Sequence, residues 1–152
     1  MKTSLENTAT VVSVQLNQLL ADYQIYYQNL RTLHWYAKGV TFFALHAKFE
    51  EYYNKAAEVV DELAERILML GGNPIYSYSQ YVQISKLSEA PAISEGIEAV
   101  KLVLANSEYL LDAVKTSFKV AEKSGDEGTV ALMSDLIGST EKQIWMLKSF
   151  LQ

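Results

Sequence analysis

Five side chains that can bind a metal ion are concentrated in one part of the sequence. The chain of 152 residues contains only two histidines, His34 and His46. Glu50 lies four residues after His46, a spacing that puts both side chains on one face of a helix. Asp61 and Glu65 have the same spacing further along the chain. Imidazole and carboxylate groups together suit iron, zinc or manganese, and without any cysteine a metal would be held by nitrogen and oxygen atoms alone.

One helix cannot bring all of these carboxylates to a single metal ion. Glu50 and Asp61 would differ by only about 20° around a helix but would lie about 16 Å apart along its axis. Either each pair belongs to a separate site, or two copies of the helix cross antiparallel about a two-fold axis near residue 55. The second arrangement places His46 and Glu50 of one chain beside Asp61 and Glu65 of the other, twice by symmetry.

The alternative is a solvated helix face without a metal site. A pair such as Asp61 and Glu65 usually lies on such a face, and a lone histidine is more often a packing or surface residue than a ligand. In this chain, however, both histidines and three carboxylates can align. His34 would lie at the end of a preceding helix, just across a turn at Gly39, where it could complete the ligand set.

Four long helices are predicted to position these residues. Strand signals are weak, and apolar residues recur at helical spacing in four stretches, which are about 4–36, 41–70, 93–123 and the segment from the SGDEG turn to the end of the chain. Gly39 and the Gly-Gly-Asn-Pro segment 71–74 should end the first two helices. Capping boxes are predicted at the starts of the first and last helices, from Thr3 with Glu6 and from Ser124 with Glu127.

The connection between the second and third long helices has about twenty residues, which is long for a helix–helix joint. A four-helix bundle needs such a crossover when these two helices are parallel. The Tyr76–Ile84 part is predicted to form a short helix of its own. The sequence therefore predicts an all-α bundle formed by one domain that spans residues 1–152.

Composition narrows the function classes. The net charge of −5 opposes a general attraction to nucleic acid or anionic membranes and suits a protein that handles cations. No apolar run approaches the ~20 residues that a membrane-spanning helix needs. The N-terminal residues lack the pattern of a secretory signal, so a cytoplasmic location is expected.

The segment Leu33–Pro74, LHWYAKGVTFFALHAKFEEYYNKAAEVVDELAERILMLGGNP, resembles the signature region of the Dps family of mini-ferritins. The matching features are His-Trp-Tyr, a Leu-His about eleven residues later, Phe with acidic residues, Asp-Glu-x-Ala-Glu-Arg and a Gly-Gly-x-Pro stop. The C-terminal IWMLKSFL, the chain length and the helix order also match. The resemblance implies a ferritin-like four-helix bundle assembled into a hollow dodecamer.

The resemblance also implies a ferroxidase site at each two-fold interface. His34, His46 and Glu50 would come from one subunit, and Asp61 and Glu65 from its neighbour. Many family members carry the shorter Asp at the position of Glu50, which leaves open whether Glu50 binds metal directly or through water. The Glu-x-x-His pair of a site inside a classical ferritin bundle is absent, because neither histidine has a Glu three residues before it.

By the same resemblance, the protein would oxidise Fe(II) with hydrogen peroxide or oxygen and store the Fe(III) as a mineral. Aromatic residues near the site could take up stray oxidising equivalents, or could serve interface packing alone: Trp35, Tyr36, Tyr52 and Tyr53. Iron would enter through an acidic three-fold pore. The candidates for that pore are Glu122, Asp126, Glu127 and Asp135, of which Asp126 and Glu127 also suit a helix N-terminus.

Tail-driven DNA binding is not expected. Lys2 is the only basic residue among the first thirty, and the sequence ends at Gln152 directly after a predicted helix. Two other functions stay open at this point. One is a DNA-compacting structural protein with incidental metal binding, and the other is a helical interaction module without metal.

Overall fold

A computed structural model describes residues 2–152, with side chains from residue 9 onward. Over this range the chain forms five α-helices and no strand, as predicted for an all-α bundle. The helices are α1 (Lys2–Tyr36), α2 (Phe42–Met69), α3 (Tyr78–Ile84), α4 (Gly96–Lys123) and α5 (Glu127–Phe150). The predicted short helix is α3, and the other four form the bundle.

The turns after α1 and α2 follow the sequence prediction. Gly39 and Gly71 have φ angles of 91° and 82°, a left-handed conformation that residues with a Cβ rarely adopt. In contrast, α4 begins three residues later than predicted, at Gly96, because the Glu95 side chain caps it by accepting hydrogen bonds from two backbone N–H groups. The capping box predicted from Thr3 and Glu6 lies outside the described side chains.

The capping box predicted for α5 is wrong. Ser124 ends α4 as its C-cap, and Gly125 adopts a φ of 71° directly after it. The backbone N–H of Asp126 bonds to the Ala121 carbonyl at 2.9 Å, which completes a Schellman motif. The start of the next helix is thereby moved on, and Asp126 takes the N-cap position, where its side chain accepts from the Thr129 N–H at 3.1 Å.

Long-range hydrogen bonds fix the helix directions. Gln15 bonds to Ser117 at 3.1 Å and Asn29 bonds to Asn106 at 3.0 Å, so α1 and α4 are antiparallel. A short turn joins α1 to α2, which makes that pair antiparallel as well. The second and third long helices, α2 and α4, are therefore parallel, as the long connection predicted.

The connection from α2 to α4 lies along α1, which anchors it with polar side chains. Asn17 donates to the carbonyl of Asn73 at 3.1 Å and accepts from the Ile75 N–H at 2.9 Å. Further on, Asn29 accepts from the Ala90 N–H at 2.8 Å. Backbone groups of this non-helical segment thus obtain hydrogen-bond partners from α1.

The middle of this connection is held by Asp22, a carboxylate that is 0% exposed. It accepts hydrogen bonds from the Ser85 hydroxyl, the Lys86 N–H and the Tyr109 hydroxyl at 2.8–2.9 Å, and from Gln18 at 3.3 Å. Such a buried charge is tolerated only when donors surround it. Burial, together with the hydrogen bond to Asp22, raises the pKa of Tyr109, which keeps its phenol protonated as a donor.

All four long helices contribute to one apolar core, whose largest fully buried side chains include Leu30, Phe49, Leu63, Leu110 and Met133. Removing these side chains from water is the main force that holds the bundle together. No helix within the described residues is long and apolar enough to cross a membrane.

Candidate metal centre

The turn between α1 and α2 brings the two histidines into contact. His34 lies near the end of α1 and His46 lies in the second turn of α2. Their rings stack with centroids 3.7 Å apart and planes inclined by 16°. His34 is 7% exposed and His46 is half-buried, so the pair is partly protected from water. The predicted association of these two residues is therefore present within one chain.

Each histidine is held by the main chain of the other. Nδ1 of His34 lies 2.6 Å from the carbonyl oxygen of His46, and Nδ1 of His46 lies 2.9 Å from the carbonyl oxygen of His34. A carbonyl oxygen only accepts hydrogen bonds, so each Nδ1 carries the proton and donates. The neutral ring then has its lone pair on Nε2. This is the arrangement in which an imidazole is oriented to bind a metal through Nε2.

Aromatic rings support the pair on two sides. The Phe42 ring stacks on His46 with centroids 4.9 Å apart, and the Tyr53 ring stands edge-on to His34 at 5.3 Å. The Tyr53 hydroxyl donates to Oε1 of Glu50 at 3.2 Å. Glu50, which is exposed, is therefore linked to the histidine pair through Tyr53. The sequence indicated Tyr53 only as an oxidisable or packing residue.

The remaining predicted ligands, Asp61 and Glu65, lie on α2 about three and about four turns beyond Glu50 and are exposed. Neither makes an ion pair or a side-chain hydrogen bond with the rest of the described chain. Among residues with described side chains, no three His, Asp or Glu groups are placed to hold one metal ion. A single chain therefore brings together His34 and His46, but it does not bring Asp61 and Glu65 to them.

The four aromatic residues predicted near the site differ in their surroundings. Trp35 and Tyr36 are 55% and 47% exposed, and the Arg31 guanidinium lies 4.8 Å from the Trp35 ring centroid. Tyr52 belongs to the buried core, where burial raises its pKa to about 12. Tyr53 is half-buried against His34. Packing therefore accounts for Tyr52, whereas Trp35 and Tyr36 present apolar surface outward.

Among the pore candidates, Asp126 is held inside the fold. It forms an ion pair with Arg66 at 2.6 Å and accepts from both the N–H and the hydroxyl of Thr129. Burial alone would raise the pKa of Asp126, but the hydrogen bonds from Thr129 and Arg66 outweigh it and hold the pKa below its usual value. Its carboxylate is thus used in joining α2 to α5. The other three candidates are exposed: Glu122, Glu127 and Asp135.

A cavity of about 550 Å³ opens between α2 and α5. Its buried lining carries phenol, hydroxyl and amide groups, and Gln143 donates to the Tyr26 hydroxyl at 2.6 Å and to the Ser107 hydroxyl at 2.9 Å. Neither histidine lines it. A metal site of the classical ferritin type inside the bundle would need imidazole as well as carboxylate groups there.

Comparison with known proteins places these features in a family. A family model described as a ferritin-like domain matches residues 14–152. The DNA protection during starvation protein 2 of Bacillus anthracis is 40% identical over 137 residues, which cover 90% of this chain and 93% of that protein. The DNA protection during starvation protein of Brevibacillus brevis is 35% identical over 152 residues, which cover 100% of both chains.

Solved structures give the same result. The Dps protein from Vibrio cholerae O1 superposes with a TM-score of 0.95 at 39% identity, covering 97% of this chain and 92% of that chain. It is described as a member of a broad superfamily of ferritin-like diiron-carboxylate proteins. A Dps protein from Bacillus brevis superposes with a TM-score of 0.93 at 34% identity, covering 96% and 98% of the two chains.

Proposed function

Because this chain belongs to the Dps family of the ferritin-like superfamily, we propose that it is an iron-oxidising, iron-storing mini-ferritin. The observation that carries the proposal is the histidine pair. The Nδ1 atoms of His34 and His46 are fixed on backbone carbonyls, so both Nε2 atoms are free to bind Fe(II). The same nitrogen and oxygen donors would also accept zinc or manganese.

The site is completed by a second chain. His34, His46 and Glu50 of one subunit face Asp61 and Glu65 of its neighbour across a two-fold axis near residue 55. Two observations support this arrangement. Asp61 and Glu65 are exposed and make no ion pair within the described chain. They lie about 16 Å and about 22 Å along α2 from Glu50, too far to share its metal ion.

Fe(II) is the substrate of this site, and hydrogen peroxide is the proposed oxidant, with oxygen as the alternative. Reduction of one peroxide to two waters takes two electrons and two protons, and two Fe(II) ions supply both electrons. Paired oxidation therefore avoids the one-electron step that releases hydroxyl radical. Trp35, Tyr36 and Tyr53 are the proposed acceptors of any oxidising equivalent that escapes, and Tyr53 contacts His34.

We propose that the Fe(III) is stored as a mineral inside a cytoplasmic homododecameric shell. The family to which the chain belongs and the two-fold argument on α2 support this assembly. Glu122, Glu127 and Asp135 are the proposed lining of its acidic entry pore, since Asp126 is occupied by Arg66. Three symmetry copies of such carboxylates would concentrate cations at the pore.

Fe(II) oxidation by the purified protein tests the function. After peroxide is added under anaerobic conditions, the wild-type chain should form the ferric product well above the protein-free rate. His46→Ala should lower the initial rate by about tenfold or more, because it removes a metal ligand. Glu62→Ala is the matched control, since Glu62 is an exposed acid next to Asp61 on a different face of α2.

Two outcomes would contradict the proposal. One is a wild-type rate no higher than that of the protein-free solution. The other is an equal loss of rate in His46→Ala and Glu62→Ala, which would indicate a general electrostatic effect rather than a site.

A second candidate function is DNA compaction with incidental metal binding, because the relatives carry a name that refers to DNA protection. The net charge of −5 disfavours it, since binding to phosphates requires a positive surface. DNA compaction would require a band shift of duplex DNA at physiological salt and pH 7.5, with affinity falling steeply as salt is raised.

A further inference from the structure

We infer that Tyr53 is a positioning residue, whose hydroxyl holds the carboxylate of Glu50 in place beside the His34–His46 pair. The inference rests on the proposed function, because it concerns a ligand of the proposed site. It assigns to Tyr53 a role in which the phenol donates a hydrogen bond to Glu50, which packing of the ring alone would not require.

The ring of Tyr53 is fixed by α1. It stands edge-on to His34, with centroids 5.3 Å apart and planes at 82°, and edge-on to Tyr27, at 5.9 Å and 87°. Tyr27 and His34 are seven residues apart, so they lie on one face of α1 two turns from each other. Tyr53 of α2 packs between them. The position of its hydroxyl is thereby defined relative to His34.

The hydroxyl of Tyr53 in turn restrains the Glu50 side chain. It donates to Oε1 of Glu50 at 3.2 Å, across the i,i+3 spacing that brings the two side chains together on α2. Glu50 is exposed, and Tyr53 is the one hydrogen-bond partner of its carboxylate among the described residues. Without this bond the side chain would sample the rotamers of an exposed glutamate.

The hydrogen bond from Tyr53 matters for metal binding because the Glu50 side chain is long. A glutamate has one more rotatable bond than an aspartate and loses more conformational entropy when it is immobilised on a cation. Because Tyr53 already restricts Glu50, less of that entropy remains to be lost on binding. The phenol should therefore matter for Glu50 and not for a shorter acid at the same position.

The test measures Co(II) binding to the assembled full-length protein by calorimetry and by visible absorption, without iron or oxidant. Tyr53→Phe keeps the ring and removes only the hydroxyl, so it should weaken Co(II) binding by about fivefold to tenfold at unchanged stoichiometry. Tyr27→Phe is the matched control. Its hydroxyl makes no hydrogen bond within the described chain, and the variant should stay within about twofold of wild type.

A double-mutant cycle shows whether the effect passes through Glu50. Glu50→Asp shortens the acid and should take it out of reach of the phenol, so adding Tyr53→Phe to Glu50→Asp should change the affinity by less than about twofold. An equal loss of affinity in both backgrounds would overturn the inference. A general loosening of the bundle would give that result and would count against it too.

His46→Ala in the same assay separates this inference from the proposed function. If His46→Ala weakens Co(II) binding and Tyr53→Phe does not, the metal site stands and the role of Tyr53 is wrong. If His46→Ala binds Co(II) like wild type, the proposed site is wrong and the inference falls with it.

Discussion

The backbone carbonyl of each histidine orients the ring of the other, so no acidic side chain is needed to hold either ring in place. Each ring uses its Nδ1–H on a carbonyl oxygen across the α1–α2 turn, at 2.6 and 2.9 Å, and the stacked rings then limit rotation. The association of the two histidines could be predicted because a turn at Gly39 separates their helices. The reciprocal bonds could not, since backbone acceptors leave no signal in the sequence.

Other residues that shape the molecule also lacked a sequence signal. Asp22 is a fully buried carboxylate, yet its donors, Ser85, Lys86 and Tyr109, are 63 to 87 residues away. In the sequence of α1, nothing distinguishes Asp22 from an ordinary polar residue. Asp22 is buried, and holds the connection between α2 and α4, because that connection passes over α1 at this point.

Tyr109→Phe tests the anchoring role of Asp22. The substitution removes a donor at 2.8 Å and leaves the buried carboxylate short of one hydrogen bond, so the free energy of unfolding should fall by about 1–3 kcal/mol. Denaturant unfolding at fixed protein concentration measures it. Tyr78→Phe, at a tyrosine that is 83% exposed, should change the value by less than about 0.5 kcal/mol. A similarly small effect of Tyr109→Phe would contradict the role given to Asp22.

At the scale of elements, hydrophobic periodicity and the glycines at the turns were sufficient to predict that the four long helices form. The bounds of α2 agree with the predicted 41–70 to within one residue at each end. The C-terminal end could be predicted because the chain turns there with a φ of 82°, which favours glycine, and Gly71 stands at that position. The start of α5 was predicted wrongly. Ser124 and Glu127 fit a capping-box pattern, but a left-handed Gly125 shifts the cap to Asp126, and sequence alone does not show which turn geometry is adopted.

The parallel arrangement of α2 and α4 followed from the length of their connection. The way the connection is held did not, because Asn17 and Asn29 bond to backbone groups 56 to 61 residues away. These bonds require no special residue in the connection itself, so its sequence gives no indication of where it docks.

The junction of α2 with α5 predicts a pH-dependent contribution to stability. Asp126 has a lowered pKa in the folded chain, so its contribution is complete above the ordinary pKa of an aspartate, about 3.9, and is lost as the pH falls through the folded value. Asp126→Asn leaves a side-chain oxygen that can still cap α5 but removes the charge that pairs with Arg66, so the free energy of unfolding should fall by about 1–3 kcal/mol at pH 7.

The difference between wild type and Asp126→Asn should begin to shrink below about pH 4, because the unfolded wild-type chain then takes up a proton at Asp126 that the folded chain, with its lowered pKa, still excludes. Urea unfolding at about pH 7 and about pH 3.5 measures both values. Glu127→Gln is the control, since its exposed acid acts only on the helix dipole and should contribute less than about 1 kcal/mol. A difference between wild type and Asp126→Asn that is the same at both pH values would contradict the assignment.

At the scale of the whole molecule, the proposed site requires more than one copy of the chain. The spacing of Glu50 and Asp61 in the sequence already indicates this, because two residues eleven positions apart on one helix cannot bind the same ion. Among the described side chains, no three potential ligands are grouped within one chain. The symmetry of the proposed shell could not be predicted from one subunit, because it depends on surfaces that meet only on assembly.

Sedimentation measures the assembly directly. Twelve copies of a 17.1 kDa chain should sediment as a closed particle of about 205 kDa at micromolar concentration. Asp61→Ala should sediment in the same way, because an exposed ligand contributes little to the interface. A wild-type chain that stays monomeric or dimeric would contradict the proposed shell.

The most direct test of the central claim mixes two inactive variants. His46→Ala damages one half of the site and Asp61→Ala damages the other half, so each alone should oxidise Fe(II) slowly. In shells reassembled from equal amounts, random pairing makes half of the dimers mixed, and each mixed dimer has one doubly damaged and one intact site. About a quarter of all sites, and about a quarter of the wild-type rate, should then return.

The control mixes His46→Ala with His34→Ala, which damage the same half of the site and should restore nothing. Mass spectrometry of the mixed shells confirms that subunits have exchanged. Recovery of about a quarter of the rate in the first mixture and none in the second is the predicted result. If exchanged shells of His46→Ala and Asp61→Ala are no more active than either parent, the site shared between chains is contradicted.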